Sequence, residues 1–127
     1  MLWGGGGVIA QGGEGLTVHS SVMQQINGVA FDIAPDGFTV TGTRVFWSES
    51  LDQSVRVQGD DFKIANNIFA WSRGHSVVLD GAKDGAVLQN AIIDVGPPPR
   101  EGIFMSCIVL QNGTVDVAMR QNARFNW

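Results

Sequence analysis

This sequence predicts an all-β fold, a short single-chain parallel β-helix of about four to five coils. Three observations predict it. Segments recur at intervals of about two dozen residues, apolar and polar residues alternate with period two inside them, and Gly- and Asp-rich turns separate them. Composition agrees. Hydrophobic residues are 44% of the 127, enough to bury one core and to exclude general disorder. Charged residues are only 16% while Gly numbers 17, which favours strands punctuated by turns over helices.

The repeat is clearest between Phe38–Ser48 and Phe62–Ser72, which align without a gap. Phe38 falls on Phe62, Val40 on Ile64, Val45 on Phe69 and Trp47 on Trp71. A third copy, Ala86–Gly96, puts Leu88 under Ile64, Asn90 under Asn66 and Val95 under Trp71. Weaker copies begin at Leu16 and Val115, so the starts 16, 38, 62, 86 and 115 are spaced 22, 24, 24 and 29 residues. A second strand precedes each start after the first: Phe31–Ile33, Val55–Val57, Val77–Leu79 and Ile108–Leu110. A coil of that length with two or three short strands is one β-helix turn, its inward side chains stacking in columns. The run Pro97-Pro98-Pro99-Arg100-Glu101-Gly102 cannot donate ladder bonds and is expected to loop outward as an insertion. The competing fold is a β-sandwich or jelly roll, whose strands would have no reason to register 24 residues apart. The expected organisation is a flexible Gly-rich N-terminal arm (1–15), the β-helix (16–118) and a C-terminal cap or docking tail (119–127).

The segment Asn66-Asn67-Ile68-Phe69, followed by Ser76-Val77-Val78-Leu79, resembles repeats of the right-handed, pectin-lyase-like β-helix superfamily. Bacteriophage tailspikes and many virion proteins share that fold. The resemblance covers residues 16–118 and lies in the coil pattern, so it implies a fold and carries no catalytic motif.

Candidate sites follow from the stacking. Glu14, Asp36, Asp60 and Asp84 each lie two residues before a coil start and would form one acidic edge. Such a row suits Ca²⁺ or a basic surface, yet Asp also favours turns for backbone reasons alone. Asn66 and Asn90 would form an asparagine ladder at a corner. Trp47 and Trp71 share an inward phase, which favours core packing over sugar stacking. His19 and His75 have no Cys or carboxylate at metal-ligand spacing nearby in the sequence. Cys107 is the sole cysteine, which excludes an internal disulfide and reads as a small buried residue. The early glycines match neither a P-loop nor a dinucleotide fingerprint.

No catalytic or cofactor-binding residue and no cofactor is assigned, and no enzyme is expected. The net charge of -4 argues against nucleic acid or an anionic membrane as partner, and no apolar run is long enough to span a bilayer. The ends look sticky: Leu2 and Trp3 precede four glycines, and Arg120, Arg124, Phe125 and Trp127 mix cations with aromatics. These are the expected partner-docking residues, with self-capping of the open strand edges as the other use. Together the features suggest a bacteriophage virion structural protein made in the host cytoplasm. It would be a capsid decoration or cement protein, a symmetric oligomer (a homotrimer) clasping the major capsid protein or another virion protein. The alternatives are a tail-fibre or tailspike module binding host glycan, and a minimal polysaccharide lyase or hydrolase.

Overall fold

A computed structural model describes residues 7–26, 29–48, 53–70, 75–94 and 108–126. Its described strands form three parallel sheets, each five strands deep. The first sheet stacks β1 (Val8–Ala10), β4 (Phe31–Ile33), β7 (Gln53–Val57), β10 (His75–Asp80) and β13 (Ile108–Gln111). The second stacks β2 (Thr17–His19), β5 (Thr39–Thr41), β8 (Lys63–Ala65), β11 (Ala86–Leu88) and β14 (Ala118–Arg120). The third stacks β3 (Val22–Ile26), β6 (Arg44–Ser48), β9 (Ile68–Ala70), β12 (Ala91–Asp94) and β15 (Ala123–Asn126). Along the chain each successive strand enters the next sheet, so three strands make one rung of a parallel β-solenoid. Every strand pairing among the described residues is parallel, a pattern that antiparallel sandwiches and jelly rolls do not give.

Three-residue strands in the second sheet demand sharp corners, and single left-handed residues make them. On entry to this sheet they are Gly15, Gly37, Asp61, Asp84 and Asp116, with φ between 52° and 71°. On exit they are Ser20, Gly42, Asn66, Gln89 and Gln121, with φ between 50° and 61°. The separation is five residues in every rung. Glycine and Asp or Asn tolerate this conformation, whereas most side chains clash with the following carbonyl. The recurring unit is therefore a heptapeptide: a left-handed residue, three alternating positions, a strand end, a second left-handed residue and a small polar one.

Between the corners the inward positions are apolar, and in the middle three rungs they are sealed. One column runs Val18, Val40, Ile64, Val87 and Met119; another runs Ala10, Ile33, Val57, Leu79 and Leu110. Their three middle members are fully buried in both columns, while Leu110 and Met119 in the last rung are 42% and 46% exposed. Across the core Phe31 and Phe38 pack with ring centroids 6.2 Å apart at 47°. Each buried aliphatic side chain stabilises by about 1.5–3 kcal/mol, so these columns supply most of the stability.

The solenoid class is as expected, and so are the pairs Phe38 over Phe62 and Val40 over Ile64. From the fourth rung the register differs by one residue. Ile64 stands over Val87 and not over Leu88, because Ala86 pairs with Lys63. Gly85 thus takes the place of an aromatic, and a Cβ there would meet the Phe62 ring at 2.1 Å. One large ring fills two rungs. In the fifth rung the unit enters at Asp116, with Val115 bridging Lys83. Val8–Ala10, which the sequence assigns to the arm, pair with Phe31–Ile33 as β1. Beyond residue 118, β14 and β15 complete the last rung. The Trp71 and Val95 positions of the expected tryptophan column, Cys107 and the proline run lie outside the described residues.

Gly85→Ala is expected to lower stability by about 1–3 kcal/mol through overpacking against Phe62. Adding Phe62→Leu should recover part of that loss. Urea melts of the two single variants and the double variant measure the coupling.

Candidate functional site

The most organised polar feature is a ladder running along the corner between the second and third sheets. It comprises Thr43, Asn67, Asn90 and Asn122, each directly after an exit corner. Asn67 Oδ1 accepts from the Thr43 N–H at 3.0 Å. Asn90 Oδ1 accepts from both the backbone N–H and Nδ2 of Asn67, each at 3.0 Å. Asn122 Oδ1 accepts the same pair from Asn90, at 3.1 and 2.9 Å. Asn67 and Asn90 spend the other Nδ2 proton on a carbonyl of the preceding rung, Val40 and Ile64, and Asn122 Nδ2 donates likewise to the Val87 carbonyl. Asn67 and Asn90 are 1% and 2% exposed, so every one of these groups would be costly unpaired. The expected ladder exists with one member corrected. Asn67, not Asn66, is its partner; Asn66 is the exposed left-handed corner residue just before it.

The acidic edge is also partly redrawn. Glu14, Asp36 and Asp60 line one open groove with Gly15, Gly37 and Asp61. The carboxylates there fasten backbone. Asp36 Oδ1 accepts the Asp60 N–H at 2.7 Å, and Asp60 Oδ1 accepts the Lys83 N–H at 2.9 Å. Lys83 occupies the next place in the column, and Asp84 belongs to the neighbouring corner column with Asp61 and Asp116. The one-residue shift that moves Leu88 also removes Asp84 from the row. Among the described residues no group of three or more His, Cys, Asp or Glu is arranged to hold a metal ion.

A third network crosses the outside of the first sheet and was not anticipated. Arg56 on β7 donates to Asp80 Oδ2 at the end of β10, from Nη2 at 2.7 Å and Nε at 3.1 Å. Asn112 donates from Nδ2 to Asp80 Oδ1 at 2.5 Å. The Asn112 and Arg56 hydrogen bonds hold the Asp80 carboxyl below its usual range, and Asp80 in turn raises the Arg56 guanidinium. Beside it Thr114 Oγ1 accepts the Gly81 N–H at 3.0 Å and lies 2.9 Å from the Leu79 and Gln111 carbonyls. The fourth and fifth rungs are thus pinned at two corners.

Of the expected docking residues, Arg120 is exposed in β14. Arg124 and Phe125 fall in β15, in register with Ile92 and Ile93. Leu2, Trp3 and Trp127 lie outside the described residues. His19 is exposed on β2, and His75 opens β10 opposite Gln53. The signal for the ladder was present in Asp84…Gln89-Asn90 and Asp116…Gln121-Asn122, identical polar spacings 32 residues apart. No protein-family model, curated protein or solved structure matches this chain.

Two outcomes follow from this geometry. Asn90→Asp keeps size but removes both amide protons, leaving the Ile64 carbonyl and Asn122 Oδ1 facing a carboxylate. Loss of about 3 kcal/mol or more is expected in denaturant melts, while Asn66→Gly at the neighbouring left-handed corner should cost nothing. The lowered Asp80 carboxyl contributes stability that is complete above its ordinary value of 3.8 and fades as pH falls below it toward the depressed value. Asp80→Asn should flatten that acid limb in melting temperature against pH and lower stability at neutral pH.

Proposed function

We propose that this chain is a non-catalytic structural component of a larger assembly, specifically a bacteriophage capsid decoration or cement protein. One observation carries the reading: the polar side chains at its best-organised sites are committed to fastening one rung to the next. Asp36, Asp60, Asn67, Asn90 and Asp80 all hold protein partners in this way. A glycosidase needs two carboxylates free to face substrate. A rigid body whose polar groups are internally satisfied is instead suited to bear load. The apolar residues Leu110, Val115 and Met119, beside Arg120 in the last rung, offer contact area to a partner.

The pectin-lyase-like resemblance, with its tailspike relatives, supports placing the assembly in a virion. In this reading the protein is a homotrimer made in the host cytoplasm, and its ends engage the major capsid protein or another virion protein. Several such contacts per oligomer raise overall affinity without any strong single one. Deleting residues 1–6 stops short of Gly7, whose N–H is bonded to the Val29 carbonyl at 3.0 Å. The truncated protein should keep β-rich circular dichroism and lose binding to undecorated capsids in co-sedimentation. Undiminished binding by the truncated chain overturns the clasping role of the N-terminal arm.

A further inference from the structure

We propose that Asn112-Gly113 is a self-modifying site, a covalent latch that records opening of the fifth rung by a single conversion of Asn112 to aspartate or isoaspartate. The turn Gln111–Thr114 carries left-handed φ at both centres, 55° at Asn112 and 81° at Gly113, and closes through Thr114 N–H to the Gln111 carbonyl at 3.3 Å. Both central residues are exposed, and a Cβ on Gly113 would meet nothing within 4 Å. The turn therefore presents the Asn112–Gly113 bond to solvent.

The chemistry needs only water. The Gly113 nitrogen attacks the Asn112 side-chain carbonyl carbon, a C–N bond forms, and the bond to Nδ2 breaks. The Gly113 amide proton leaves with that nitrogen as ammonia, giving a five-membered imide. Water then adds across either imide C–N bond, its hydroxyl to the carbon and its proton to the nitrogen. One opening yields aspartate, the other isoaspartate with an extra methylene in the backbone. Nothing is oxidised or reduced.

What makes this site conditional is Asp80. Its Oδ1 holds Asn112 Nδ2 at 2.5 Å, and Arg56 holds its other oxygen at 2.7 Å. Attack requires the Asn112 amide to leave Asp80, so a seated turn is protected and an opened one is exposed. After conversion the amide donor is gone. Two carboxylates then face each other, while Arg56 on β7 stays on the far oxygen of Asp80 and is itself shared electrostatically with Asp32 on β4. Like charges at this distance oppose re-seating, and so does a lengthened turn. The step is one-way.

The test follows the full chain in warm, mildly alkaline buffer by peptide mapping, with isoaspartate detected by methyltransferase labelling. A second Asn-Gly pair, Asn27-Gly28, provides an internal reference. Conversion of Asn112 relative to Asn27 should rise several-fold in Asp80→Ala, and Asn112→Asp should lower the melting temperature at neutral pH. That loss should shrink in an Asp80→Asn background, where one of the facing charges is absent, which separates charge repulsion from general damage. An unchanged ratio in Asp80→Ala, or an Asn112→Asp protein melting like the parent, overturns the latch.

Discussion

The whole architecture depends on one backbone constraint: two left-handed residues set five apart, bracketing a three-residue strand. With that spacing constant, each rung turns its chain by the same path, and the inward positions of successive rungs fall in line. Without it the columns would not form. Left-handed backbone costs a non-glycine residue roughly 1–2 kcal/mol, so Gln89 and Gln121 hold their corners against intrinsic preference. Burial decides the balance. Every rung that turns correctly places the middle residue of its second-sheet strand and two residues of the first sheet toward the core, each contributing about 1.5–3 kcal/mol where fully covered.

Hydrophobic columns reward stacking but choose register poorly, since Val, Ile and Leu are nearly interchangeable in them. Polar ladders choose it. An asparagine displaced by one residue would put Nδ2 against an apolar neighbour and strand a buried donor, at about 1–3 kcal/mol for each lost partner. The ladder of Asn67, Asn90 and Asn122 therefore adds little net energy when formed and a large cost when misaligned. Asp36, Asp60 and Thr114 act similarly at the other corners by meeting backbone N–H groups of neighbouring rungs. This division of labour also draws polar chemistry into the joints between rungs.

The same division sets what could be read from the amino acids. Phe38 over Phe62 and Val40 over Ile64 were legible because both rungs keep large residues at matching places with no length change. The step from Ile64 to its partner Val87 is 23 residues against 24 from Val40 to Ile64, and Gly85 replaces the aromatic that would have marked the register. Apolar alternation in Ala86-Val87-Leu88-Gln89 fits either phase equally well, so the alignment slipped and carried Asn66 and Asp84 with it. The polar tail, Gln-Asn following Asp by five and six residues, would have anchored it. Arg56 and Asp80 were beyond reach. They lie on outward positions, where hydrophobic pattern says nothing and pairing depends on a register known only from the fold.

That dependence bears on how the acidic residues are read. Asp61, Asp84 and Asp116 line up one rung apart, and in isolation such a row invites a cation. Yet each occupies an entry corner where Gly15 and Gly37 stand in the first two rungs. Aspartate is among the few side chains that accept left-handed backbone, through local hydrogen bonding of its short carboxylate. Repulsion between exposed carboxylates about 5 Å apart is somewhat under 1 kcal/mol in water and is screened further by salt. That is less than the strain a bulkier residue would add at the same corner. The row is thus explained by what the backbone tolerates, without a ligand, and glycine in the first two rungs solves the same steric problem with no charge at all.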